Sequence, residues 1–243
     1  RGTEVPSLWR HPLFARAMRW ALDVTLPDGS LAPFDDANPG ASYYFGAVPP
    51  GLPDAAAYAW RFGNAPAPFG TDGNVDLGPD VIALGDETVV PAPPTGSPTA
   101  FYVEGGNAIF RSDWGEDAVL ALALAEHDTA ALFGRNREGL GVVPQSHEHL
   151  EPGAFLLHAF GERLALDPGD ISFPQRSAVN QPQHHNMILV DGRGPIDFLA
   201  SSFFFWRNDL VSRPPNDGMA TLSDTLDTGF LDGATVTARY GRT

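Results

Sequence analysis

The chain has 243 residues, of which 43% are hydrophobic and 11% aromatic. This length suits one large domain or two small ones that bury roughly 70–75% of the unfolded surface. That excludes intrinsic disorder as the main state. There is no run of 18 apolar residues, so no transmembrane helix is expected. The formal net charge of −15 argues against general nucleic-acid binding and against docking on an anionic membrane.

Gly 26 and Pro 23 together make about a fifth of the chain, against an average near 12%. Turns must therefore be frequent and long helices few. All 15 basic residues are Arg. Codon bias explains this, and so does a use of Arg in bidentate carboxylate recognition. Cysteine is absent, which excludes thiolate metal or redox chemistry. Residues 1–20 carry Arg1, Glu4, Arg10, Arg16 and Arg19 without an apolar core, so they do not read as a secretory signal.

In chain order, the first element is a helix. Phe14, Ala17, Met18, Ala21 and Leu22 recur at helical spacing, with Pro12 near the start and Leu26-Pro27-Asp28-Gly29 as the stop. A second short helix is expected over Asp54 to Phe62. From Gly63 to Pro98 the chain is dense in Pro, Gly and Asp, broken by Val81 to Leu84. Residues 91–98 read as a linker or exposed loop.

After residue 98 the texture becomes β-like. Phe101 to Val103 and Asn107 to Arg111 predict paired strands turned at Gly105-Gly106. Ala118 to Ala125 is a further strand. Ala154 to Phe160 and Arg163 to Leu166 predict a hairpin turned at Gly161-Glu162. Met187 to Val190, Phe198 to Trp206 and Thr235 to Tyr240 complete the strand candidates. Short strands at this spacing predict an antiparallel β-sandwich. The expected division is residues 1–98, helical with a linker, and 99–243, β-rich.

Five of the seven histidines lie between 147 and 185. His147-Glu148-His149 on a strand would present both imidazoles to one face. Neutral imidazole suits zinc. Asp167, in Asp167-Pro168-Gly169, ends the strand after the H-x-H segment, and a hairpin would return it toward His149. It also reads as a plain turn carboxylate. His185 reads either as a ligand or as a polar residue opening a strand. His158, inside an apolar run, reads as a core or surface histidine. His11 and His127 have no evident partners.

The order of these pieces resembles the heparinase II/III-like polysaccharide lyases. The resemblance runs through His147-x-His149-x-Glu151, Ala154-Phe155, Gly161-Glu162-x-Leu164, Asp167-Pro168-Gly169, His185-Asn186 and Val190-Asp191-Gly192. Arg111-Ser112-x-Trp114, and Asp28-Gly29 with the following Pro33-Phe34-Asp35-Asp36, look similar to that family too. The resemblance spans roughly residues 8–243 and is densest over 101–192.

The resemblance implies a mainly β fold: an antiparallel β-sandwich preceded by the last helices of an (α/α) toroid. It implies a lyase that cleaves uronic-acid-containing acidic polysaccharides, heparan-like, alginate or another glycuronan, by β-elimination. His147 then becomes an active-site residue. His149, Asp167 and His185 become ligands of a structural zinc ion. The family setting implies a periplasmic or secreted location, a polysaccharide partner and no membrane span, and it leaves oligomeric state open.

Two departures stand out. Glu151 occupies a position where the family usually has Asp. The toroid segment that carries the family's Asn or His and its Tyr has no counterpart, and Tyr43 and Tyr44 do not lie where that Tyr belongs. Both ends look cut, so this chain alone is expected to be inactive. The negative charge opposes a polyanionic substrate, unless Arg135, Arg137 and Arg176 make the cleft locally basic. The competing expectations are a non-catalytic metal-binding or carbohydrate-binding β-sandwich module, and a β-rich interaction module whose histidines are incidental.

Overall fold

The computed structural model describes residues 11–34, 37, 53–62, 88–125, 149, 151–169, 171, 178–179, 181–194, 220–238 and 240. Among them are two short α-helices, and most of the remaining regular structure is antiparallel strand.

Helix α1 spans Pro12–Asp23. Pro12 opens it where a missing N–H costs nothing, and the His11 ring Nδ1 accepts from the Leu13 amide at 3.3 Å. His11 is thus an N-cap. The stripe of Phe14, Met18 and Leu22 packs against Ala57, Tyr58 and Phe62 of α2, Ala55–Phe62, and against Trp114. Beyond α1 the chain turns back on itself. The Gly29 amide donates to the Leu26 carbonyl at 2.9 Å and the Leu26 amide to the Ser30 carbonyl at 2.7 Å, with Gly29 at φ 88°. Residues 91–98 form a largely exposed, irregular connection.

Five strands follow, β1 Ala100–Tyr102, β2 Asn107–Arg111, β3 Leu120–Leu124, β4 Phe155–Ala159 and β5 Glu162–Ala165. They form one antiparallel meander in sequence order. A separate pair, β6 Ala220–Asp227 and β7 Asp232–Ala238, makes a second antiparallel sheet.

Period-2 alternation gives the larger sheet two different faces. On one, Ile109, Leu120, Leu122, Leu124 and Leu156 pack against Val24, Leu26 and Ala32 from the segment after α1. On the other, Ala108, Phe110, Ala123 and the following Ala125 meet Ala220, Leu222, Val236 and Ala238. The small alanine side chains let the second sheet approach closely. The result is a two-layer β arrangement with the helical segment covering one outer face, which agrees with the mainly β expectation.

Three details differ from the sequence expectations. The β4–β5 hairpin turns at Phe160-Gly161, both at positive φ (57° and 74°), so that Ala159 pairs with Glu162. This is the two-residue, left-handed turn that matches strand twist. Residues 187–190 form no strand. The backbone there turns through the Val190–Arg193 bridge, and Ile188 is 76% exposed. Strand β6 carries no clear pattern because Asp224 sits at φ 48° where the register shifts. A bulge of this kind breaks strict alternation. Val81 to Leu84 and Phe198 to Trp206 lie outside the described residues.

Candidate metal centre

Three local turns bring the metal-ligating residue types together. The first is Glu151-Pro152-Gly153-Ala154. The Ala154 amide donates to the Glu151 carbonyl at 2.8 Å, and Gly153 sits at φ 90°. Pro at the second place and Gly at the third suit a type II turn. The Gly153 amide donates to the Leu124 carbonyl at 2.7 Å, which pins this turn to the end of β3. His149 lies just before it and is 2% exposed.

The second turn follows β5. The Gly169 amide donates to Asp167 Oδ1 at 3.1 Å, leaving Oδ2 to point inward. The third is the short 3-10 helix Pro182–His184, after which the His185 amide donates to the Pro182 carbonyl at 3.2 Å. Asn186 locks this segment in place. Its side-chain amide donates to the Leu166 carbonyl at 2.5 Å, and its carbonyl accepts from the Phe155 amide at 3.0 Å.

His149, Asp167 and His185 are all buried, and one donor atom from each lies within 4.8 Å of the others. His185 Nδ1 stands 2.6 Å from Asp167 Oδ2 and 3.0 Å from Glu151 Oε2. The His149 and His185 ring centroids are 5.3 Å apart. The His185 Nε2 atom is buried and makes no hydrogen bond. Two imidazoles and a carboxylate are the donor chemistry of zinc. The residues present therefore fit such a cation.

Glu151 was visible in the sequence only as a family departure, yet its side chain is fully buried in this cluster. The available signal was its position two residues after His149. His158 lies on β4 opposite Leu120, is 1% exposed, and among the described residues makes no hydrogen bond through either ring nitrogen. It is a core histidine. His147, Arg135, Arg137 and Arg176 lie outside the described residues.

A second buried charged cluster joins the helical segment to the sheet. Asp23 is 1% exposed and accepts from Arg19 Nε at 2.9 Å and from the Tyr102 hydroxyl at 2.7 Å. Burial pushes its carboxyl above the usual range despite these partners. Burial, then the Asp23 charge, pushes the Tyr102 hydroxyl upward. Arg111 donates to the carbonyls of Asp23, at 3.1 Å, and Thr25. Its guanidinium lies 4.5 Å from the Trp114 ring centre. Burial, then the nearby Arg61 guanidinium, lowers the Arg111 pKa to about 9, which leaves it charged at neutral pH. Arg61 donates to the Leu26 carbonyl. Arg111 and Trp114, quoted above for the family resemblance, thus clasp the chain leaving α1.

No protein-family model matches the sequence, and no curated protein matches it either. Solved structures do match. A heparinase III aligns over 92% of this chain with a TM-score of 0.52 at 14% identity. A heparan sulfate lyase from Pedobacter heparinus aligns over 92% with a TM-score of 0.50 at 15% identity. The chain spans 27% and 28% of their respective lengths. At these identities the likeness is one of fold: the chain folds like part of these polysaccharide lyases.

Proposed function

We propose that this chain is part of a polysaccharide lyase that cleaves uronic-acid-containing acidic polysaccharide by β-elimination. The observation that carries the proposal is the convergence of His149, Asp167 and His185 in one buried cluster. It occurs on a fold shared with a heparinase III.

The chemistry has three demands. A base takes the proton from C5 of the uronate. A donor neutralises the carboxylate, so that charge developing at C5 is stabilised. An acid protonates the 4-linked oxygen as the C4–O bond breaks and the C4–C5 double bond forms. In this proposal His147 serves at the reacting sugar, and residues outside this chain supply the rest. Arg135, Arg137 and Arg176 attract the polyanion locally against the overall charge of −15.

His149, Asp167 and His185 hold a zinc ion. When bound, the ion supplies charge compensation that fixes the three turns. The side chains themselves set those turns through the Asp167–Gly169 and Asn186–Leu166 hydrogen bonds. A polymeric substrate fits a periplasmic or secreted enzyme.

The test is product formation by the full-length protein on heparan sulfate, alginate and other glycuronans. The expected product carries a C4–C5 double bond and absorbs in the near ultraviolet, and His147→Ala abolishes it. This chain alone is expected to give none. If the full-length protein makes no unsaturated product from any uronate polymer, the lyase assignment falls. Retained zinc binding would then favour a non-catalytic metal-binding module.

A further inference from the structure

Two guanidinium groups meet at the joint between the helical segment and the sheet. Arg111 donates through Nη2 to the carbonyls of Asp23 and Thr25, and Arg61 donates through Nη2 to the carbonyl of Leu26. The three carbonyls belong to one short stretch, residues 23–26, so both side chains approach it together. Burial first, then the Arg61 charge, lowers the Arg111 pKa. Two like charges are thus held close where water is scarce, which is costly without a counter-charge. Among the described residues neither guanidinium forms an ion pair.

The unused groups around them are of one kind. Arg111 Nε and Nη1, Arg61 Nε and Trp114 Nε1 are buried and make no hydrogen bond. All are donors. Arg111 is 4% exposed and Trp114 9%, and the Arg111 guanidinium lies 4.5 Å from the Trp114 ring centre. A buried donor without an acceptor is destabilising. The nearby carboxylates are engaged elsewhere. Asp23 accepts from Arg19 and Tyr102, Asp28 from Ser30 and Arg163, and Asp113 from Ser112 and the Gly115 amide. Glu116 is exposed.

We propose that Arg61, Arg111 and Trp114 form a binding site for a small oxyanion of the sulfate or carboxylate class. It lies at the opposite end of β3 from the metal-ligating turns and is independent of the lyase reading. Arg111 pairs with Leu120 at the start of that strand, whereas the Gly153 amide is pinned to Leu124 at its end. Guanidinium forks match the paired oxygens of such an anion, and the indole N–H adds a neutral donor. The donor atoms are closed from solvent, so the ion enters as Arg61 swings aside. Arg61 is half-buried and held by one carbonyl. A closed site favours a small free ion over a group borne on a polymer.

The test is calorimetric titration of the 243-residue chain with sodium sulfate, at an ionic strength held constant with sodium chloride. The expected result is saturable 1:1 binding. Arg61→Met and Arg111→Met should each weaken it at least about tenfold, the factor that one hydrogen bond to a charged group supplies. Trp114→Phe keeps the ring and should weaken it less, by about fivefold. Circular dichroism checks folding, and if Arg111→Met fails to fold, Arg61→Met and Trp114→Phe decide. A wild-type chain without saturable sulfate binding would overturn the site. So would a sulfate-induced rise in melting temperature that is equal in the wild type and every variant, since sulfate strengthens burial in any protein. A heparan sulfate oligosaccharide should leave bound sulfate in place, and displacement would overturn the free ion in favour of a polymer-borne group.

Discussion

Two buried clusters of ionisable side chains tie this molecule together, and they differ in the groups they gather. Around Asp23, arginines and a tyrosine meet the carboxylate and the carbonyls, although burial still raises the pKa of Asp23 and lowers that of Arg111. Arg19 and Tyr102 face the carboxylate, and Arg111 caps carbonyls leaving α1. Around His185, two carboxylates converge on one imidazole nitrogen, with a second imidazole nearby. The Asp23 cluster joins the helical segment to the sheet. The His185 cluster instead gathers two imidazoles and a carboxylate within 4.8 Å of one another, the donor set proposed above for a cation.

The comparison is broken most directly by Arg111→Ala. Losing a hydrogen bond from a buried charged group typically costs about 1.5–3 kcal/mol. Arg111 is 4% exposed and holds two backbone carbonyls. Urea unfolding should show a loss of that size. Arg111→Met should lose less, because its stem still packs on Trp114 and the Nε and Nη1 groups, which make no hydrogen bond, are no longer buried. Equal losses for both variants would mean that the guanidinium's hydrogen bonds, not the packing of its stem, make the joint.

The His185 cluster is sharpened by metal addition. Zinc at a hundred times its dissociation constant should stabilise the chain by about 2.7 kcal/mol, read as a rise in melting temperature. His149→Ala and Asp167→Asn should abolish the rise, and a chelator should reverse it in the wild type. A rise that survives both variants would place the ion elsewhere.

Tyr102→Phe probes how far Asp23 depends on neutral donors. Losing a hydrogen bond to a charged group costs about 2 kcal/mol. The Asp23 carboxyl should rise further, since its hydroxyl donor at 2.7 Å is gone. An unchanged denaturation midpoint would show that Arg19 alone suffices.

The smallest effect lies at the rim of the joint. Burial pushes the Asp28 carboxyl up, but hydrogen bonds from the Ser30 side chain and amide, and from Arg163, outweigh it and leave it below the usual range. A lowered folded value means stability that is present above about pH 4 and lost as pH falls through that value. Asp28→Asn should flatten the acid limb of a melting series run between about pH 5 and pH 2. Parallel acid limbs would show that the Arg163 contact at 3.0 Å contributes nothing in solution.

Much of the fold was legible because local signals are strong where side chains alternate cleanly. Leu120, Leu122 and Leu124 announce β3, and Phe14, Met18 and Leu22 announce α1. His149, Asp167 and His185 were legible as candidates through motif order, and the fold brings them to one point. Glu151 was not, because a single carboxylate two residues from a histidine is common on exposed surfaces. Strand β6 was missed because the left-handed Asp224 breaks its alternation. The false strand at 187–190 came from four apolar residues in a row, and composition cannot show that their neighbours' backbone groups already bond elsewhere. The Arg111 joint was hidden for a related reason: its partners lie 86 and 88 residues away.

The three turns that carry His149, Asp167 and His185 have one more consequence. The chain contains no cysteine, yet Asp167 and His185, 18 residues apart, meet at a buried point. A cation held there ties the two ends of that loop as a covalent staple would. A disulfide closing a loop of this length contributes about 3 kcal/mol in the chain-entropy picture. Unlike a disulfide, such a tie is indifferent to thiol reductants and is released by acid or by a chelator, because its ligands must be deprotonated. The molecule would then keep its cross-link in oxidising and reducing surroundings alike, and give it up where the metal becomes scarce.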